Sequence, residues 1–341
     1  MTEPDAYDAI PKVELHCHVE GTIRPSTVVE LARKNGRRLP TEDPTELYRY
    51  HSLDSFLAIF WLVQELLVDP SDWERAAYES IVDAAPHGLR YREMFFTPAR
   101  HLAAGQQLGQ IVAGLTRGIE RAEQETGARC MLICDIDRAF GGAGGLELVG
   151  LLTELRRAGA AERVIGVGMD STEQGVDPRQ FSDAFALARR EGFRRTGHAG
   201  EDLGPASIEV ALAALQIERI DHGLAILDDP ELTRRVAAER TPLTVCPNSN
   251  VLIANKYARL EDHPFRRMRQ AGLLATLNTD DPAMTDLDLG REYRSVAQSL
   301  QMTWSEVVAV SLDGIEASWL DAGEKLVMRA AFEREIAAIQ V

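Results

Sequence analysis

Two histidines stand two residues apart in Val13-Glu14-Leu15-His16-Cys17-His18, at the end of a short apolar run. In an extended strand, side chains at i and i+2 leave the same face, so both imidazoles can converge on one metal ion. Alone the pair says little, because such spacing also arises by chance. Three later segments repeat the arrangement: His198-Ala199-Gly200-Glu201, Asp221-His222-Gly223 and Asn278-Thr279-Asp280-Asp281-Pro282 each follow an apolar, strand-like run. Each brings a metal-binding or proton-transferring side chain. His16, His18, His198 and Asp280 make a nitrogen and oxygen shell suited to one Zn²⁺ per chain, with a position left for a water whose pKa falls toward about 7. Glu201, in a glycine-containing turn, can serve as proton donor to a substrate, and His222 can hold or deprotonate the water. Singly, a histidine after a strand is ordinarily a satisfied core residue and a loop glutamate is solvated; the joint placement points to catalysis. His51, His87, His101 and His263 lie on helices or loops without a partner pattern and receive no role.

The elements that must position these groups follow from periodicity. Short runs rich in β-branched and large apolar residues predict strands over 13–18, 90–96, 130–136, 164–169, 193–198, 218–221, 242–246 and 274–278. Helical period predicts helices over 26–35, 107–125, 145–158, 178–191, 206–216, 229–239 and 264–271. Eight alternations give an α/β fold of (β/α)8, TIM-type barrel class, in which functional groups gather at the C-terminal ends of the strands. The chain reads as a single domain over 1–341. About seventy residues separate the first two strands, more than one crossover helix requires. Within them Ser52–Leu67 reads as a helix apolar on most of its surface and another helix follows from about Ser71, a pattern suited either to core packing or to a lid. The expected additions are a helical lid insertion over about 40–88 and C-terminal helices over about 288–340.

Composition narrows the partners. A net charge of −16 over 341 residues repels phosphate backbones and anionic membrane surfaces, so no nucleic acid or membrane partner is expected. The basic stretches Arg189-Arg190 with Arg194-Arg195, and Arg266-Arg267 with Arg269, read as solvated faces. No apolar run approaches the roughly 18 to 20 residues of a membrane span, and the acidic N-terminus lacks a secretion signal, so a cytoplasmic protein is expected. Cys17, Cys130, Cys134 and Cys246 read as small buried hydrophobes of a reducing compartment.

The segments His16-Cys17-His18-Val19-Glu20-Gly21-Thr22, His198-Ala199-Gly200-Glu201, Arg219-Ile220-Asp221-His222-Gly223, Pro242-Leu243-Thr244-Val245-Cys246-Pro247-Asn248-Ser249-Asn250 and Asn278-Thr279-Asp280-Asp281-Pro282 resemble, in order and spacing, the motifs of the adenosine and adenine deaminase family. The resemblance implies a zinc-bearing barrel that hydrolyses the 6-amino group of a small-molecule purine. It implies that His16, His18, His198 and Asp280 hold the metal and that Glu201 protonates ring N1. His222 would orient the attacking water and stabilise charge, and Asp281 would hydrogen-bond N7, which requires one of the pair to carry a proton. Leu57, Phe60 and Trp61 resemble the family's apolar gate over the purine. Glu20, Asp221 and the run Met169-Asp170-Ser171-Thr172-Glu173-Gln174-Gly175 resemble the adenine-specific members, with Glu173 placed to accept from N9–H of a free base. The run 282–290 lacks the aromatic and paired glycines common in that subgroup, which leaves room for an N6-substituted adenine, or for adenosine or another nucleoside. Among rival classes, the H-x-E deaminases of nucleic-acid bases match His18-Val19-Glu20 but require a P-C-x-x-C that is absent here. Two-metal hydrolases of the same barrel superfamily often need a bridging lysine, and no lysine ends a middle strand.

Overall fold

The computed structural model describes residues 5–41, 43–50, 53–254 and 256–339; His51 lies outside them, as do the side chains of 53–55 and of Leu57. Eight strands form one sheet in sequential order, each parallel to the next. They are β1 (Lys12–Glu14), β2 (Leu89–Phe96), β3 (Arg129–Asp137), β4 (Val164–Asp170), β5 (Arg194–Ala199), β6 (Arg219–His222), β7 (Leu243–Val245) and β8 (Ala275–Leu277). Every predicted strand is present, and the barrel is of the expected TIM type. β1 is shorter than the predicted 13–18, because after Glu14 the chain leaves the regular ladder to make single bridges on both sides, Cys17 with Asp280 and His18 with Phe95. The His18 amide donates to the Asp280 carbonyl at 2.9 Å and the Asp280 amide to the His16 carbonyl at 3.2 Å. These two bonds close the barrel between its last and first strands where His16, His18 and Asp280 sit.

Parallel strands covered on both faces are apolar along their length, as in the fully buried Met94, Phe95 and Phe96 of β2 and Leu132 and Ile133 of β3. The barrel wall also buries charge, on its helix-facing side at Arg92, which donates to Ser80 of the outer helix Pro70–Ala84. Arg92 pairs with Glu14 and Arg219 with Glu93, each at 2.5 Å, and the Trp319 amide also donates to Glu93 at 2.7 Å. Removing one partner of such a buried pair costs roughly 3–5 kcal/mol, because the survivor is left uncompensated.

The predicted helices appear with shifted ends. The 178–191 segment opens as a 3₁₀ turn (Pro178–Phe181) before its α-helix (Ser182–Arg190), and the 206–216 segment passes from α-helix (Pro205–Val210) into a π turn (Ala211–Leu215). The long β1–β2 connection carries helices Pro25–Lys34, Pro44–Leu47, Leu53–Glu65 and Pro70–Ala84. The last of these lies in the outer helical ring against Leu108–Thr126. There Gly114 and Gly118 let the backbones meet, since a Cβ would come within 2.4 Å of the Pro70 carbonyl and 2.1 Å of the Glu74 carbonyl. Helix Leu53–Glu65 instead packs on the turn Glu20–Thr22 beside the strand ends. Helices Leu289–Ser299, Trp304–Ala317 and Ala322–Ala337 complete the chain.

Candidate metal and proton-transfer site

His16 and His18 follow β1, His198 lies in β5, His222 ends β6, and Asp280 follows β8. The ring centroids of His198 and His222 lie 4.7 and 4.6 Å from that of His16, and the ring centroid of His18 lies 5.3 Å away. Asp280 Oδ1 is 3.2 Å from His16 Nε2 and 3.4 Å from His18 Nε2. His222 and Asp280 both take left-handed backbone angles, with φ of 63° and 64°. Non-glycine residues pay roughly 1–2 kcal/mol for that conformation and keep it where surrounding contacts enforce it.

Hydrogen bonds on the outer nitrogens fix which imidazole nitrogen points inward as a lone pair. His198 Nδ1 lies 3.1 Å from the Met169 carbonyl, which can only accept, so Nδ1 carries the proton and Nε2 is free. His16 Nδ1 lies 3.0 Å from Thr244 Oγ1, whose own proton goes to Asp221 at 2.8 Å, so again Nδ1 is the donor. His16 Nε2 is then an acceptor that is buried, without a hydrogen-bond partner, and facing the acceptor Asp280 Oδ1. Two acceptors facing each other this closely suit a cation between them. Burial pushes His18 down to about 3 and holds His198 well below its ordinary value, which keeps both in the neutral, ligating form. Burial works to raise the Asp280 carboxyl, but the imidazoles of His16, His222 and His18 overcome it and hold the group well below the usual range. These donors fit a divalent transition ion.

His222 is set differently. The Phe265 amide donates to His263 Nδ1 at 3.1 Å, so the His263 proton is on Nε2, 3.3 Å from Asn250 Oδ1. That contact turns the Asn250 amide nitrogen toward His222 Nδ1 at 3.1 Å and Glu201 Oε1 at 3.5 Å. His222 Nδ1 therefore accepts, and its proton sits on Nε2, 3.6 Å from Glu201 Oε2. A protonated Nε2 is a donor and a poor ligand, although His222 lies within the same cluster as His16, His198 and Asp280. Burial opposes charge on His222, and the carboxylates of Glu201 and Asp280 outweigh it.

Burial raises the Glu201 carboxyl to about 7 against the opposing pull of His222. Burial and the adjacent Asp280 charge push the Asp281 carboxyl well up, which leaves it able to donate. Gly21 permits this placement, since a Cβ there would come within 1.8 Å of Asp281 Oδ1.

The remaining predicted residues are more scattered. Glu20 is buried beside His18 and accepts the Thr97 amide at 2.9 Å. Phe60 is partly buried and stacks on Phe56, whereas Trp61 is 44% exposed with the Arg100 guanidinium 5.2 Å above its ring. Glu173 differs most from the N9–H expectation. Its carboxylate is occupied by the backbone amides of Gly200 (3.1 Å), Glu201 (2.8 Å) and Asp202 (3.0 Å), so it anchors the turn that carries Glu201.

Sequence reasoning gave no role to Ser249, which donates to Asp280 Oδ2 at 2.6 Å, nor to Asn250, Thr244 or His263. The first three lie in the run 242–250, where a cluster of polar side chains just past a buried strand was the available signal. His263 offered none, because its partner is thirteen residues away in the short helix Pro247–Leu252.

Comparison with known proteins gives the family of the chain. The chain is 37% identical over 338 residues to an adenine deaminase of Streptomyces coelicolor, covering 98% of this chain and 97% of that one. The crystal structure of an adenine deaminase from Arthrobacter aurescens superposes with a TM-score of 0.90 at 31% identity, covering 96% of this chain and 100% of that one. A zinc-bound amidohydrolase from Burkholderia ambifaria superposes at 0.89 with 29% identity, over 98% and 95% of the two chains. With the adenosine deaminase family model matching residues 11–334, nearly the whole barrel and every strand-end group described above, the chain belongs to that family.

Proposed function

We propose that this protein hydrolyses the 6-amino group of adenine-type purines and releases ammonia, or an amine where N6 is substituted, with the free base or an N6-substituted base preferred over the nucleoside. The observation that carries the reading is Glu201, a carboxyl raised by burial to about 7 and facing the Nε2–H of His222 beside two mutually facing metal-type acceptors. A deaminase needs an acid that is still partly protonated at neutral pH, and this is one. The adenine deaminase names of the full-length relatives support the substrate class.

His16, His18, His198 and Asp280 would hold one divalent ion, for which the zinc in the Burkholderia neighbour is the precedent. Such an ion supplies Lewis acidity that lowers the pKa of water in the site. The protein's own groups do the rest. Glu201 gives its proton to ring N1, which makes C6 electrophilic. His222 directs its Nε2–H to the oxygen that attacks C6, and Asp281, protonated, donates to N7. The C6–O bond forms and the C6–N6 bond breaks. Of the two water hydrogens, one ends on the departing ammonia and one on N1 of the 6-oxopurine. These donors are fixed before the reaction and so stabilise developing charge without reorganisation.

Formation of the 6-oxopurine from adenine, N6-methyladenine and adenosine, with ammonia or, from N6-methyladenine, methylamine as the second product, measured side by side on the zinc-loaded protein, tests the proposal. Adenine or its N6-methyl derivative should lead in kcat/KM. A tenfold preference for adenosine would replace the base reading by a nucleoside one, and absence of 6-oxopurine formation from all three would remove the deaminase reading.

A further inference from the structure

The short helix Pro247–Leu252, just past β7, carries three consecutive polar side chains with different partners. Ser249 donates to Asp280, and Asn250 faces His222 and Glu201. Asn248 reaches instead to helix Leu289–Ser299, where its Nδ2 donates to Glu292 Oε2 at 2.6 Å and to Ser295 Oγ at 2.9 Å. The Asn248 backbone amide lies 3.4 Å from Glu292 Oε1, so both carboxyl oxygens of the fully buried Glu292 go to this one residue. The proposed reaction gives Glu292 no role.

Six residues make too few backbone bonds to hold a helix by themselves. The N-cap residue, Cys246, supplies no side-chain bond to the first turn, and Pro247 has no N–H. The turn therefore depends on an anchor from elsewhere in the chain. Glu292 provides one from forty-four residues away, on a helix that begins shortly after Asp280 and Asp281. We infer that Glu292 is a positioning residue: by holding Asn248 it sets the turn from which Ser249 reaches Asp280 and Asn250 reaches His222 and Glu201. The role rests on the deaminase reading for what the positioned groups do, while the anchoring is a property of the fold. Burial raises the Glu292 carboxyl to about 8 against the pull of the Asn248 donors, so near neutral pH it is largely uncharged and glutamine matches it in shape and charge.

The zinc-loaded variants Glu292→Ala and Glu292→Gln test this by rates of 6-oxopurine formation and by zinc affinity in competition with a chelating dye. Glu292→Ala should lower kcat at least tenfold and change KM less than threefold. Its zinc affinity should fall several-fold, because Ser249 on the freed turn holds Asp280. Glu292→Gln should stay within threefold of the unmodified protein in all three. Combined with Asn250→Ala, Glu292→Ala should lower kcat no more than about threefold below Asn250→Ala alone, since both changes break the same connection. Asn248→Ala cuts the anchor from its other end and should match Glu292→Ala in kcat; it decides the question if Glu292→Ala does not fold. Any one of three results overturns the inference: kcat within threefold of the unmodified protein in Glu292→Ala or Asn248→Ala, a Glu292→Gln as damaged as Glu292→Ala, or losses that multiply in the double variant. Failure of the deaminase reading appears separately, as absence of 6-oxopurine from the unmodified protein with the order of zinc affinities preserved.

Discussion

At the scale of single residues, the chemistry depends on which atoms carry protons. Glu201 sits at about 7, so its protonated fraction falls as pH rises. Because it must act as an acid, kcat/KM should decline on the alkaline side with an apparent pKa near 7. In Glu201→Gln that limb should vanish, with kcat more than about a hundredfold down, roughly 2.7 kcal/mol of barrier, and zinc retained. Near-normal turnover in that variant would show that another group is the acid. The His222 proton is placed on Nε2 through Asn250 by His263. His263→Ala removes the donor that holds the Asn250 amide and should lower kcat about tenfold or more, within the range seen when outer partners of a site are removed. Metal content measured alongside should not change, since His263 touches none of the proposed ligands; a parallel loss of metal would argue for collapse instead. The sequence displays His16, His18, His198, His222, Asp280 and Asp281 because each ends a recognisable run. His263 and Thr244 stay hidden because their significance lies in contacts across the barrel, which depend on strand register and not on neighbours in the chain.

At the scale of elements, the strands and most helices are legible because burial imposes periods of two and 3.6 on the residues. What escapes are features set by partners: the short β1, cut by its bridges to Asp280 and Phe95, and the π turn over Ala211–Leu215. The role of helix Pro70–Ala84 was obscured in the same way, since its seat in the outer ring depends on Gly114 and Gly118 of a helix thirty residues later. The turn 200–202 shows why one wrongly read residue matters. Glu173 resembled a substrate contact, yet it accepts three consecutive amides and so sets where the Glu201 side chain begins. Glu173→Ala removes the charged acceptor of those amides, of which Gly200 keeps Ser207 Oγ at 2.9 Å, and should cost about 1–3 kcal/mol of stability. Its kcat should fall at least tenfold, with a smaller change in KM. Glu173→Gln retains one carbonyl acceptor and should recover part of both. If Glu173→Ala raises KM for adenine and leaves kcat intact, the side chain meets substrate after all and the anchoring role is wrong.

At the scale of the whole molecule, the proposed ligands straddle the closure of the barrel. His16 and His18 leave β1, Asp280 follows β8, and the two ends of the sheet are joined by the bridging bonds around Cys17 and Asp280 and by the side chains of Asn278 and Glu14, which accept the Leu15 and Thr279 amides. An ion held by all three, with His198 from β5, would pin the first strand, the last strand and the opposite wall together. Binding restricted to the folded state stabilises by mass action, about 2.7 kcal/mol when free metal is a hundred times its dissociation constant. Stripping the metal with a chelator should therefore lower Tm by several degrees, and restored zinc should recover it in a concentration-dependent way. Hydrogen exchange should locate the loss. The amides of His18 and Asp280, which donate across the closure, should exchange faster in the stripped protein, while those of the outer helix Leu108–Thr126, away from the strand ends, should change least. Asp280→Ala should reproduce that pattern with zinc present, because it removes a ligand and the acceptor of Ser249 together. If chelation left Tm unchanged, or if protection fell equally on all eight strands, the ion would be chemically useful to the site but no part of what closes the barrel.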